Sequence, residues 1–352
     1  MEHTPTPADS GPCDGDGDGA PVYAVGRIGV DFRSEAHRDG FRRRLAEAAP
    51  DGPAPDPGNP RQLHDHLVRN PWAASGLTWT LSLDGTPVYA LEAEPAVGME
   101  WSGPLPAPAP GGSEEERLAL LRRIADAPPV HPVHRALRDA LLGRSLPAGD
   151  PDRIRRLTVP GRLTDRSARL CSGQVVPVVR VSAVGLARWT ETPLVAAAVD
   201  AVGEPHHYDR DQLTGHVRAL LDKIYFQFRN PGLSAAERAL NHALTESVLT
   251  GGLLGAGLLP TGPGDDGPGN AGPGDDGPEE SPEHRAAPGL YTLDAVTVAR
   301  SPHCRPGSDC QDVLVRFSDP ADERRVKVTF VHTVDVSDQL PVSLAPVHRF
   351  LG

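Results

Sequence analysis

The sequence predicts an α+β fold, mainly antiparallel sheets with packed helices, and three observations carry this. Strand-like and helix-like segments come in runs rather than in strict alternation, which disfavours a doubly wound parallel sheet. Residues 77–83 alternate apolar with polar side chains and meet the apolar run 88–91 across Asp84-Gly85, a pair suited to the positive φ angles of a tight hairpin turn. Near the carboxyl end, residues 291–300, 312–317 and 326–336 alternate in the same way, parted by short loops rich in Pro, Gly and Asp, as half-buried strands are.

Taken in order, a strand is expected at 22–29, ended by Gly29, followed by a helix capped by Ser34 with Phe41 and Leu45 on one face. A Pro-rich break at 50–60 precedes a short helix at 62–69, and the Asp84-Gly85 hairpin comes next. After a second Pro/Gly patch at 103–112, helices are expected at 114–126 and 134–142. Strands at 154–159, 167–171 and 175–181 open the second half. The segment 211–228 then sets Leu213, Val217, Leu220, Leu221, Ile224 and Phe228 on one helical stripe. Ser234 caps the following helix, with Glu237 at the capping-box position and Leu240, Leu244, Val248 and Leu249 inward. In the last strands, Tyr291, Val296, Leu314, Phe317 and Phe330 are expected to face the core.

This divides the chain into a disordered acidic tail at 1–20, an α+β subdomain at 21–145 and a second at 151–352. A disordered linker at 261–287, where Gly-Pro-Gly-Asp-Asp-Gly-Pro occurs twice, interrupts the second subdomain. The formal charge of −12 sits in those extensions. They hold 12 of the 47 acids and one of the 35 bases, so the remainder is nearly neutral. A near-neutral body offers no broad basic face, which argues against nucleic acid and anionic membrane as partners. No stretch approaches the eighteen or so apolar residues of a membrane span, and nothing at the amino end reads as a secretory signal. Four cysteines, Cys13, Cys171, Cys304 and Cys310, are too sparse for a disulfide framework. The protein is therefore expected to be cytoplasmic.

Few residues carry candidate chemistry. Between two strand-like runs, the turn-rich loop around Cys304 and Cys310 puts two thiols at the tip of a hairpin. Three readings stay open. The thiols could be half of a zinc site, completed by His303 or by a second copy of the loop, because soft thiolates suit zinc. They could be a disulfide, which the spacing permits and a reducing compartment disfavours. They could be reduced, semi-buried thiols in a tight turn. Completion by a second copy would make the loop a homodimer contact.

Elsewhere the chemical signals are weak. Asp14-Gly15-Asp16-Gly17-Asp18-Gly19 imitates the start of a calcium loop, but position twelve is Val25 where a bidentate Glu is needed. His206-His207 reads as a polar helix start with Asp209 near the cap, and His64 and His66, two apart, do not share a helix face. There is no G-x-S-x-G, no subtilisin-like nucleophile run and no phosphate-binding glycine loop in a strand–turn–helix context. No catalytic triad and no nucleotide site are expected.

The loop Arg300-Ser301-Pro302-His303-Cys304-Arg305-Pro306-Gly307-Ser308-Asp309-Cys310-Gln311-Asp312-Val313 resembles a segment of the C-terminal, PatG-type domain of cyanobactin maturation proteases. Its Arg300, Cys304, Arg305, Asp309, Cys310 and Asp312 match the motif. Further blocks are similar to that domain. They include Tyr23-Ala24-Val25-Gly26, Leu77-Thr78-Trp79-Thr80-Leu81, Val159-Pro160-Gly161, Asn230-Pro231-Gly232-Leu233-Ser234, Asn241 and Thr333-Val334-Asp335-Val336. In that family the domain accompanies a subtilisin-like protease that cuts or macrocyclises a ribosomally made peptide. The protease signature is missing here, so its catalytic residues do not carry over, and the acidic linker departs from the family pattern. The resemblance implies a stand-alone, non-catalytic accessory protein that binds the protease or its precursor peptide and needs no cofactor. The rival is an enzyme of unrecognised type, or a zinc-dependent module, acting on a modified peptide through the Cys304/Cys310 loop or the histidine pair.

Overall fold

The computed structural model describes residues 19–50, 52–93, 113–126, 131–206, 209–250, 258 and 290–352. The acidic tail up to residue 18, with Cys13 and most of the calcium-like repeat, lies outside these residues. So do the 261–287 linker and His207.

The expected elements form where their local chemistry places them. Strand β1 (Pro21–Asp31) leads to α1 (Glu35–Ala48), where the Ser34 hydroxyl accepts from the His37 N–H and Phe41 and Leu45 are the buried residues. Helix α2 (Pro60–Arg69) follows, capped by Asn59, then a 3-10 turn, and then the hairpin of β2 (Thr78–Leu83) and β3 (Thr86–Ala93). Its turn residues Asp84 and Gly85 have φ of 48° and 86°, which is why Asp-Gly is favoured there. Helices α3 (Glu114–Asp126) and α4 (Pro132–Arg144) complete the first run.

The second run departs from expectation in one informative way. Strand β4 (Ile154–Arg169) is continuous through Pro160-Gly161, which local chemistry reads as a break. A Cβ on Gly161 would lie 2.4 Å from the Arg180 carbonyl, so the glycine lets β5 (Val175–Val181) come close. The Pro160 carbonyl accepts from the Ser182 N–H at 3.0 Å, which places this residue at a rim of the ladder. Strand β6 (Ala187–Thr190) and helix α5 (Glu191–His206) were not expected; they precede α6 (Arg210–Gln227) and α7 (Ala235–Thr250). Strands β7 (Thr292–Arg300), β8 (Cys310–Ser318) and β9 (Val328–Asp335) are joined by two short edge strands, β10 (Val342–Ser343) and β11 (His348–Leu351).

The strands form two sheets. The first runs β1-β2-β3-β5-β4-β6, and β1 also pairs with β4, so the pairings run in a cycle. Among the described residues, only the β3–β5 pairing is parallel. Because β4, β5 and β6 complete the sheet begun by β1–β3, the break at 145–151 does not separate two sheets. Local alternation marks a strand but not its distant partner, and Ala24 pairs with Val159 far along the chain. The second sheet is antiparallel, β10-β9-β8-β7, with β11 beside β10 on β9.

Two cores result. One packs α1, α2 and α4 against β1–β3 through residues such as Phe41, Leu63, Trp79 and Leu137. The larger joins α5–α7 to the inner face of β7–β9, and Val25 and Trp189 link it to the first sheet. Tyr291, Phe317 and Phe330 are buried and Val296 packs against this core, as expected. Leu314 is not inward. It alternates with the buried Val313 and Val315, and a side chain three residues from Phe317 must point to the opposite face. Among the described residues, no helix is long and apolar enough to cross a membrane.

Candidate functional site

The β7–β8 connection holds its two cysteines together. Gly307, at φ 87°, turns the loop, and the Ser301 N–H donates to the Cys310 carbonyl at 2.9 Å to close it. The Cys310 N–H then donates to Cys304 Sγ at 3.1 Å, and the two sulfurs lie 2.7 Å apart as free thiols. The other motif residues brace this geometry. The Asp309 carboxylate accepts from the Gln311 amide at 2.7 Å, its N–H donates to Ser337 Oγ, and Asp312 accepts from Thr333 Oγ1 at 2.7 Å. Arg300 stands exposed opposite Gln311 in the ladder.

Beside the loop, the outer face of the second sheet forms a cavity of about 700 Å³. Leu314, Val331 and Phe350 supply apolar wall, and His303, Arg305, Asp312 and Asp335 supply charge and hydrogen-bonding capacity. The Leu314 that period-two reading placed in the core is thus a cavity residue. Hydrogen bonds from the Ser337 hydroxyl and N–H hold the Asp335 carboxyl below the usual range despite desolvation. Cys310 also lines the cavity, and burial, helped by the Cys304 contact, pushes its thiol up to about 11. At neutral pH it is a thiol, a poor nucleophile and a poor metal ligand until something removes the proton. Among the described residues no group of three or more His, Cys, Asp or Glu side chains could hold a metal ion. Cys304, Cys310 and His303 therefore share a loop without forming a closed shell there.

The histidines go separate ways. His64 Nε2 lies 3.4 Å from Asp139 on α4, and that hydrogen bond holds the imidazole above its ordinary pKa. His66 is buried against Phe41 and burial lowers its pKa. His206 lies at the end of α5, and Asp209 caps α6 by accepting from the Gln212 N–H. One cluster that sequence reading missed joins α7 to β10: Ser343 Oγ lies 3.3 Å from His242 Nε2 and donates to Glu246, which is itself 3.6 Å from the same His242 nitrogen. A serine nucleophile needs the acid on the other ring nitrogen, holding the imidazole while Nε2 takes the proton. Here Glu246 competes for Nε2, so the three residues do not form a triad. No spacing could have announced the whole cluster, because Ser343 lies about a hundred residues from the i,i+4 pair His242 and Glu246.

The remaining shared motifs are structural. Gly232, at φ 68°, sits where a Cβ would meet the Tyr23 carbonyl at 2.2 Å, and its own carbonyl accepts from the Tyr23 N–H at 2.9 Å. Asn230 and the fully buried Asn241 exchange amide hydrogen bonds, and Asn241 also donates to the Tyr23 carbonyl. Tyr89 donates to the Pro231 carbonyl at 2.8 Å. These contacts dock the 230–241 segment on β1.

The chain is similar to known sequences in two places: a family model described as PatG Domain matches residues 21–207, and one described as PatG C-terminal matches residues 279–350. A solved structure described as "PatG Domain of Unknown Function" superimposes with a TM-score of 0.66 at 31% sequence identity, over 95% of this chain and 99% of that one. No curated protein matches. The Cys304/Cys310 hairpin lies within the second family match, and the chain belongs to the PatG domain family.

Proposed function

We propose that the protein is a non-catalytic, cytoplasmic accessory factor of cyanobactin-like peptide maturation, which holds an extended segment of a precursor peptide or of a subtilisin-like maturation protease. One observation carries this reading: the cavity beside the Cys hairpin combines apolar wall from Leu314, Val331 and Phe350 with Arg305, Asp312 and Asp335, of both charge signs. Mixed lining on a sheet face suits a peptide, whose side chains alternate along a strand and whose backbone needs polar partners. Nucleic acid and membrane are not partners in this reading.

A calorimetric titration with a cyanobactin-type precursor peptide and, separately, with a subtilisin-like maturation protease tests the proposal. One of the two binds, and Leu314→Asp or Arg305→Glu weakens that binding at least about tenfold while the melting temperature holds. Equal binding by the groove variants, or no binding of either partner, overturns it. A homodimer joined through the loop would appear as a doubled mass in light scattering, lost with Arg305→Glu.

A second reading is favoured by the 2.7 Å contact between the Cys304 and Cys310 sulfurs in the wall of the same cavity. It places a dithiol, or a zinc ion completed by His303 and outside donors, beside any peptide held there, and makes the protein an enzyme acting on a modified peptide. Turnover of the precursor by the purified protein alone, abolished by Cys304→Ser, would favour this reading over the first.

A further inference from the structure

A second cavity, of about 650 Å³, lies in the first sheet, where the start of β2 and the end of β3 meet the late part of β4 and the first turn of α4. We propose that it binds an apolar molecule through a free carboxylate. The guanidiniums of Arg33, Arg166 and Arg169 line it, against the single carboxylate of Glu92, which is ion-paired with Arg166. Arg33 is fixed by its Nε donating to Thr78 Oγ1 at 3.0 Å, on a backbone held at φ 63°, a conformation that costs a non-glycine residue energy. Below the arginines, Leu77, Leu91 and Val178 give an apolar floor.

Two lining residues each carry a buried polar atom without a protein partner. Trp79 is 2% exposed, yet its indole Nε1–H has no hydrogen-bond partner, and the buried Nδ1 of His134 has none either. Buried donors of this kind are nearly always satisfied. An indole N–H can only donate, so its missing partner is an acceptor, and Arg33 and Arg169, beside an Arg166 already neutralised by Glu92, select an anionic one. The planar fork of Arg matches a carboxylate, and apolar walls penalise the second charge of a dianion. This site lies apart from the groove beside the Cys hairpin, so the fate of either reading leaves the other open.

Binding is measured by tryptophan fluorescence and calorimetry with three probes: an acetylated apolar dipeptide with a free C-terminus, its C-terminal amide, and hexanoate. The free acid binds and the amide binds at least about tenfold more weakly; Arg169→Gln lowers acid affinity by a similar factor, and Trp79→Phe, which keeps a ring but removes the N–H, by about threefold or more. Arg169 is exposed, so its variant folds and keeps the comparison clean. Hexanoate binding as tightly as the dipeptide assigns the site to small-molecule acids; dipeptide preference assigns it to peptide ends. The proposal is overturned if amide and acid bind equally, if inorganic phosphate displaces the acid at equal concentration, if Arg169→Gln changes nothing, or if no acid binds by about 10 mM.

Discussion

The side-chain amide of Asn241 donates to the backbone carbonyl of Tyr23 at 2.8 Å, tying the buried face of α7 to the first strand of the sheet. The same amide group is bonded to Asn230, whose carbonyl oxygen also accepts from the Gly232 N–H at 3.0 Å. Four polar groups, the Asn241 amide, the Tyr23 and Asn230 carbonyls and the Gly232 N–H, are thereby satisfied at a largely buried junction. Burial and the nearby Glu246 charge push the Tyr23 phenol up to about 12.

Removing the clasp should cost more than one hydrogen bond. Asn241→Leu leaves the Tyr23 carbonyl buried and unpaired, at about 1–3 kcal/mol, and takes two bonds from the Asn230 amide, which keeps the Gln227 carbonyl and the Gly232 N–H as partners. Gly232→Ala adds a Cβ 2.2 Å from the Tyr23 carbonyl at a φ that disfavours any side chain, so the 230–234 turn must move. Gly85→Ala is the control: its φ of 86° is comparable but its surroundings are open, and about 1 kcal/mol is expected. Urea midpoints for the three variants check the ranking. A Gly232→Ala variant no less stable than Gly85→Ala would contradict the close approach.

The Cys304–Cys310 contact predicts selective oxidation. Their sulfurs already lie 2.7 Å apart, whereas Cys171 is exposed on the turn between β4 and β5. Mild oxidant should therefore form the 304–310 disulfide within one chain, read as a cross-linked peptide in non-reducing mass spectrometry. Under reducing conditions, alkylation should reach Cys171 first and Cys310 last among the described cysteines, because Cys310 is buried and its thiol is raised. Untagged protein is assayed for zinc beside Cys304→Ser: metal in the first and not the second would show that outside donors complete the shell, while a 304–171 cross-link would refute the loop geometry.

How much of this was legible follows the range of each signal. Caps and turns are local, so Ser34, Asp209 and the Ser234/Glu237 box sit where the sequence places them; Glu237 Oε2 accepts from the Leu233 and Ser234 N–H groups. The α6 stripe is buried from Leu213 to Phe228 for the same reason. Strand phase is less forgiving. Leu314 is as apolar as its neighbours, and only its register beside Val331 shows that it faces the outer cavity. Helix α5 hides because its Ala- and Val-rich run gives little contrast between faces, and β10 and β11 are short edge strands with exposed side chains. Neither cavity could be read in advance, since each draws residues from strands and loops that only pairing brings together. The Cys hairpin was visible because both its thiols sit in one loop.

The Ser343–His242–Glu246 cluster should be chemically silent as a nucleophile. With Glu246 beside the His242 nitrogen that would have to take the proton, Ser343 has no base free to activate it. A serine-reactive fluorophosphonate should not label the protein, and Ser343→Ala should leave that result unchanged. Stoichiometric labelling of Ser343 would restore the hydrolase reading.

Acid sensitivity should trace largely to His332. It is 3% exposed on the inner face of β9, and burial, reinforced by the neighbouring His242, lowers its pKa to about 4 although Glu246 acts in the opposite sense. Unfolded, the same imidazole titrates near 6.5. Between these values the unfolded chain binds a proton that the folded chain refuses, so stability rises with pH across pH 4–6.5 and is lost as pH falls through that window. The shift corresponds to about 3 kcal/mol at most, and His66, His134 and His242, also lowered by burial, add to the same slope. Asp319 behaves differently: Arg325 outweighs burial and holds its carboxyl below the usual range, so its contribution is lost only as pH falls below about 4, outside this window. Urea unfolding at pH 7, 6, 5 and 4.5 separates the two. His332→Gln removes the titrating group but keeps a polar side chain, and its stability should fall less steeply between pH 6.5 and 4.5 than that of the unsubstituted protein. Parallel curves for the two proteins would mean that His332 is protonated as readily in the fold as in water.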